Sequence, residues 1–321
     1  MSHFADACQY SYLLDNIEGS PFQGFVHQQY STFPVIIIQL LLVWVVHLRE
    51  VTPIPLQMAL IQHKDEKVRF QQQVENAAAY VIPFIGQSLN IHSDMKILDI
   101  GCGDGGVMLP FLEKGCKVTG IELDEQKAVY AKKFLSEHIA SGQAEVINLN
   151  IYDEAALEAY KHQFDLILLK DVIEHIPDQE RFIPYLKEFL KPGGHVYFGF
   201  PPWHMPHGGH QQICESKLLG ALPYFHLLPV PMYKALLKLF KEPSGTIKEL
   251  LEIKSTGITI ERFERLAQEA DYTIVCKTFF LINPIYQYKF GWKPRVQFKW
   301  LSAIPFLRNF FTTCVYYLIR K

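Results

Sequence analysis

A short apolar run that ends in a cluster of glycines, Ile97-Leu98-Asp99-Ile100-Gly101-Cys102-Gly103-Asp104-Gly105-Gly106, constrains this chain more than any other stretch. It reads as a buried strand feeding a tight turn, with the helical stretch Val107 to Lys114 after it. Glycine there tolerates positive φ and lets the backbone approach a ligand closely. Alone the pattern is weak, because nicotinamide and flavin enzymes and ordinary turns share it. Two carboxylates sharpen it. Asp99 stands just ahead of the first glycine, where an anion would not help a pyrophosphate but would suit a ligand bearing an α-ammonium group. Glu122 closes the next apolar run, Val118-Thr119-Gly120-Ile121-Glu122, about 20 residues on, the position from which a carboxylate bonds the two hydroxyls of a ribose. Separately each acid reads equally well as a surface group or a cap. Together, at two strand ends, they fit a nucleoside without phosphate.

From Met95 onward short β-rich runs alternate with helical stretches: Lys96 to Ile100, Lys117 to Ile121, Glu145 to Leu149, Phe164 to Leu169 and His195 to Phe200 read as strands. This alternation predicts an α/β fold with a mostly parallel sheet covered by helices, and ligands at the carboxyl ends of its strands.

At this point the sequence resembles the class I S-adenosylmethionine-dependent methyltransferases, most closely over residues 65 to 200 and more loosely from Thr259 to Lys321. Asn148-Leu149-Asn150-Ile151 is similar to the family's third strand end, with Asn150 where an acid is common; an amide oxygen accepts the same hydrogen bond without charge. The run from Phe164 through Lys170-Asp171-Val172-Ile173-Glu174-His175-Ile176 resembles the fourth strand and its loop, and Leu190 to His195 the turn into the fifth strand. The resemblance implies a Rossmann-like three-layer sandwich of seven strands with the last antiparallel, completed by a helix over Thr259 to Ala270 and strands over Tyr272 to Ile282 and Thr312 to Ile319. It implies S-adenosylmethionine as cofactor. Asp99, Gly101, Cys102, Gly103 and Gly105 would hold its methionine part, Glu122 with Leu123 the ribose, and Asn150 and Ile151 the adenine. Asp171 and Val172 would lie beside the sulfonium. A NAD-dependent dehydrogenase is the enzymatic alternative, and Gly101, Gly103 and Gly106 satisfy its spacing, but Asp99 and the fourth- and fifth-strand motifs go unexplained. A cofactor-binding regulatory or scaffold protein without transferase activity is the alternative from another class.

Residues 201 to 257, rich in aromatic and apolar side chains, read as a helical lid inserted after the fifth strand, with residues 58–200 and 258–321 forming the methyltransferase domain. His204, His207 and His210 crowd its start, with Cys214 beyond. A metal site, a general base, most readily His210, and plain loop packing all remain open; no metal is expected, since a sulfonium leaving group needs none. Asp171 is a second candidate for a catalytic role, and His175 reads as structural.

A net charge of -2, from 31 Lys and Arg against 33 Asp and Glu, gives no basic field that would favour nucleic acid. The six scattered cysteines suit free thiols in a reducing compartment, which predicts a cytoplasmic protein. The acceptor is expected to be a small molecule, a lipid-linked intermediate or a glycan. After Asp271 the chain has no acid, while lysines and arginines interleave with aromatics from Tyr286 to Trp300. That pattern suits peripheral contact with an anionic membrane or, equally, strands whose lysines simply face water. Residues 1–57 stand apart: Pro34 to Val46 is nearly all apolar, short of the ~18 to 20 residues of a span, and no Lys or Arg precedes Arg49. A start at Met58, a membrane anchor and a packed element are all compatible with this. Mass spectrometry of the native N-terminus discriminates, since any peptide upstream of Met58 excludes that start.

Overall fold

The structure is a computed structural model that describes residues 65–321. The N-terminal extension, and with it every expectation for residues 1–57, lies outside the described residues. Five strands, β1 (Lys96–Ile100), β2 (Lys117–Glu122), β3 (Ala144–Asn148), β4 (Phe164–Lys170) and β5 (Leu190–Phe200), pair in parallel in the order β3-β2-β1-β4-β5. Three more follow beside β5: β6 (Thr273–Ile282), β7 (Arg295–Val296) and β8 (Cys314–Arg320), in the order β5-β8-β6-β7. β8 runs antiparallel to both β5 and β6, so β6 points the same way as β1 to β5. The last strand is antiparallel, as expected, and the sheet holds one strand more than seven, the two-residue edge β7.

β1 lies between β2 and β4, whose connections leave to opposite sides, so the switch point of the sheet falls between the carboxyl ends of β1 and β4. A crevice forms there because the flanking helices diverge to opposite faces. One observed difference concerns β5. Pro192-Gly193-Gly194 looks like a turn, but the strand starts at Leu190 and runs through it, with Gly193 at φ 75° and a register shift opposite Phe164 and Leu166.

The main helices are α1 (Glu66–Asn76), α2 (Leu109–Glu113), α3 (Glu125–Phe134), α4 (Glu154–Tyr160), α5 (Gln179–Tyr185), α6 (Val230–Leu239), α7 (Ser244–Thr256) and α8 (Ile260–Glu269), besides other helical segments of three to five residues. The period-2 pattern of β5 divides its two faces. Phe198 and Phe200 pack on Phe263 of α8, with ring centroids 4.8 and 5.1 Å away, whereas Tyr197 meets Phe84 and Tyr316 on the opposite face at 6.0 and 5.3 Å. α8 starts at Thr259, whose hydroxyl accepts the Arg262 N–H, and it buries Ile260, Phe263, Leu266 and Ala267 on one stripe.

Residues 201–257 are largely helical and carry a small apolar core of their own, in which Phe225, Tyr233 and Leu237 meet Ile247 and Leu250. Hydrogen bonds tie this insertion to the sheet domain, among them Tyr224 Oη donating to the Phe310 carbonyl at 3.0 Å. Gln179 of α5 donates to the carbonyls of Ile173 and Thr256, and the Thr256 hydroxyl donates to the Glu174 carbonyl. Within the insertion, His226 bridges Gln211 and the Trp203 carbonyl, and burial pushes its imidazole down to about 3. Phe263→Ala, which removes the ring that joins α8 to β5 and β8, is expected to cost about 3 to 5 kcal/mol, read as a fall in denaturation midpoint.

Candidate active site

The turn after β1 is held to β2 by the N–H groups of Gly101 and Cys102, which both donate to the Ile121 carbonyl, at 2.8 and 3.3 Å. A Cβ on Gly101 would lie 2.6 Å from Val172 Cγ2, so the loop after β4 closes directly on this turn. Gly105 faces Leu135 and Ala131 in the same way, so its missing side chain serves helix packing. Gly103 is different: it adopts φ 56°, and a Cβ there would meet nothing within 4 Å. Only its backbone conformation asks for glycine, and its open side faces room for a ligand.

Glu122, 8% exposed, braces the turn from β2: Oε2 accepts the Gly103 N–H at 2.7 Å and Oε1 the Asp124 N–H at 2.9 Å. Asp99 is 2% exposed, and its Oδ2 has no hydrogen-bond partner. Burial, with Glu122 adding to it and Lys170 opposing, pushes the Asp99 carboxyl up to about 8. Cys102 is buried beside the two acids, and burial, then Asp99 and Glu122, keeps its thiol protonated. Leu123 is exposed, while the carbonyls of Glu122 and Leu123 accept both N–H bonds of the Asn148 amide. Asn150 Oδ1 accepts the Tyr152 N–H, which orients the amide by an Asx turn, and Ile151 is buried with its carbonyl accepting from the Tyr185 hydroxyl.

On the other side of the switch point, Asp171 sits at φ 57°, an uncommon conformation for a residue with a side chain, fixed by its N–H donating to the Gly199 carbonyl at 2.7 Å. Lys170, buried at the end of β4, donates to Asp171 Oδ2 at 2.5 Å. Burial works against the Asp171 charge, but Lys170 outweighs it, with Lys289 and His210 adding to the pull, and the carboxyl is held below the usual range. Glu174, three residues on, is 5% exposed with both carboxyl oxygens unpartnered; burial and the neighbouring Asp171 push it well above the usual range. The two acids are thus pushed in opposite directions, Asp171 down by Lys170 and its neighbours and Glu174 up by burial.

The histidines of the insertion do not converge. His204 stacks on Phe310 at 5.2 Å, His207 Nε2 lies 3.2 Å from the Ala221 carbonyl, and Cys214 belongs to the insertion core. His210 alone turns to the site and meets His175 at 4.8 Å between ring centroids. Ligand-type atoms of Glu174, His175 and His210 lie within 4.8 Å of one another, so a cation, if one were held, would sit here and not among the three loop histidines. A small cavity joins Glu174, His210 and the wall of the insertion at Trp203, Ile253 and Gly257. Sequence reading missed Lys170, Glu174 and the paired bonds of Arg69 to Asp104, 2.8 and 3.1 Å, which tie α1 to the glycine turn. The first two lie inside the motif at β4, but burial is not legible there; nothing in the sequence joins Arg69 to Asp104.

Residues 70–277 match the family profile described as a methyltransferase domain. Among curated proteins, the ubiquinone biosynthesis O-methyltransferase of Pseudomonas entomophila (strain L48) is 33% identical over 103 residues, 32% of this chain and 43% of that protein. The one from Pseudomonas putida (strain W619) is 35% identical over 103 residues, with the same shares. The chain thus spans less than half the length of these relatives. Among solved structures, geranyl diphosphate C-methyltransferase from Streptomyces coelicolor A3(2) aligns with a TM-score of 0.46 at 15% identity over 75% of this chain and 77% of that one. A SAM dependent methyltransferase from Archaeoglobus fulgidus aligns at 0.45 and 12% identity over 80% and 97%.

Asp99→Asn tests the strained carboxyl. A folded-state pKa raised to about 8 means that the folded protein holds a proton the unfolded chain gives up, so stability falls as pH rises from the ordinary carboxylate range towards about 8. Within that window the decline is about 1.4 kcal/mol per pH unit. The variant is therefore expected to gain thermal stability over the parent as pH goes from 5 to 8, with no further gain above; equal melting profiles would contradict the assignment.

Proposed function

This chain belongs to the methyltransferase domain family, and from that membership we propose that it transfers the methyl group of S-adenosylmethionine to a small-molecule acceptor, lipid-linked compounds and glycans included. The observation that carries the choice of cofactor is the buried, unpartnered Oδ2 of Asp99 beneath the glycine turn. A buried carboxylate without a partner is costly, and a ligand ammonium would relieve it. The pyrophosphate of a dinucleotide offers this acid no cation and would only hold it protonated, which argues against the dehydrogenase alternative. The open side of Gly103 supplies room for the methionine part, Glu122, with Leu123 next to it, offers its remaining lone pairs to two ribose hydroxyls, and Asn150 and Ile151 form the adenine end.

When bound, S-adenosylmethionine supplies an electrophilic methyl carbon on a sulfonium. The residues of this chain position the partners: Val172 packs on the turn, and Asp171, kept ionised by Lys170, presents negative charge at the end of β4. The insertion of residues 201–257 acts as a lid that excludes water and shapes the acceptor cavity with Trp203 and Gly257. His210, in the field of Asp171, takes the acceptor proton where the acceptor must lose one.

Calorimetric titration with S-adenosylmethionine and with NAD tests the cofactor: saturable binding of the sulfonium ligand alone, weakened at least about tenfold by Glu122→Ala, is expected. Binding of NAD alone would overturn the reading. His210→Ala is expected to lower turnover by about a hundredfold with cofactor affinity nearly unchanged, and an unchanged rate would remove it as the base.

A further inference from the structure

Between the end of β6 at Ile282 and the start of β8 at Cys314 the chain crosses the end of the sheet, joining it only through the short edge strand β7. Because β6 runs with β1 to β5, this crossing lies at the same end of the sheet as the glycine turn and Asp171. Its outer part presents Val296, Phe298, Trp300, Ile304 and Phe306 to solvent, each between 41% and 67% exposed. Five large apolar side chains exposed within eleven residues are more than scattered surface residues explain.

The segment that carries them is firmly built. Gln297 is buried, with its N–H donating to the Phe279 carbonyl and its amide to the Arg308 carbonyl and the Thr312 hydroxyl, at 2.8, 3.0 and 2.8 Å. Leu301 is buried as well. Phe306 is held at φ 63°, a conformation that a bulky side chain rarely adopts. Glu261 of α8 keeps it there, accepting the Phe306 N–H and Arg308 Nε at Oε1, both at 2.9 Å, and the Asn309 amide at Oε2, at 2.6 Å. Backbone strain maintained by a dedicated clamp, with the ring pointing into water, is a mark of function.

The charges that the segment itself carries have one sign. No Asp or Glu occurs after Asp271. The structure withdraws several of the basic residues into the fold: Arg308 pairs with Glu261 and Glu264, and Lys277 pairs with Glu264. Lys293, Arg295 and Lys299 stay exposed, flanking the apolar side chains. A protein interface core is depleted in lysine, whereas aromatic rings bordered by basic side chains match the boundary layer of an anionic bilayer. No helix among the described residues is long and apolar enough to cross a membrane, so contact through this region is peripheral.

We propose that residues 295–306 dock the protein onto an anionic phospholipid surface, with Phe298, Trp300 and Phe306 entering the interfacial layer and Lys293, Arg295 and Lys299 facing the headgroups. The mouth of the site then opens beside the membrane, which suits an amphiphilic acceptor. This inference stands on the exposed segment and does not rest on the methyl-transfer reading. It is tested with the full chain and its Trp300→Phe variant, on vesicles of phosphatidylcholine alone and on vesicles mixed with phosphatidylglycerol carrying brominated acyl chains. Binding to the anionic vesicles at least about tenfold stronger than to the neutral ones is expected, with stronger bromine quenching in the parent than in the variant. No preference for the anionic vesicles, or equal quenching in the two proteins, would overturn it. S-adenosylmethionine binding measured in the same samples keeps the two readings apart: docking without cofactor binding would fault the cofactor assignment alone.

Discussion

The carboxyl group of Asp99 sits where the sheet can least accommodate a charge, at the buried end of the central strand, with a second acid, Glu122, on the neighbouring strand. Burial and like charge act in the same direction, and the opposing cation, Lys170, is largely committed to Asp171. The rest of the site is arranged around this group. Glu122 spends lone pairs on the N–H groups of Gly103 and Asp124 and so fixes the turn above Asp99, while Val172 packs against Gly101 and closes the gap between β1 and β4. An acid buried here without a partner is costly to ionise, and a cationic ligand group is what would offset that cost.

The strands that build this arrangement were legible because short apolar runs bounded by glycine and polar residues follow the geometry of buried parallel strands. β1 starts and ends at the expected residues, β2 and β4 each run one residue further, and β3 is shifted back by one residue. β5 was harder, since Pro192-Gly193-Gly194 has the composition of a turn, and only pairing with β4 shows that the strand passes through it. The loop histidines illustrate a different limit. His204, His207 and His210 are neighbours in sequence, but Gly208, Gly209 and the left-handed backbone at His210 send their rings to separate places. Spacing in a loop with glycine and proline does not translate into distance.

What the sequence hid most completely was the electrostatic division among close residues. Asp171 and Glu174 are three residues apart in one loop, yet Lys170 pulls the first carboxyl below the usual range and burial pushes the second well above it. The basic residues of the C-terminal region divide likewise: Arg308 and Lys277 are structural ion-pair partners, whereas Lys293 and Arg295 border exposed aromatics. Composition shows a charge but not its partner, and the partner decides whether it stabilises the fold or meets a ligand.

Proton exchange during cofactor binding tests this account most directly. If an ammonium group docks on Asp99, the carboxyl must lose the proton it holds in the empty site below about pH 8. Titration calorimetry with S-adenosylmethionine at pH 7, in buffers that differ in ionisation enthalpy, reads that proton. Release of close to one proton per cofactor, fading above about pH 8 and absent in residual binding to Asp99→Asn, is the predicted result. Tight binding with no proton released at pH 7 would contradict it.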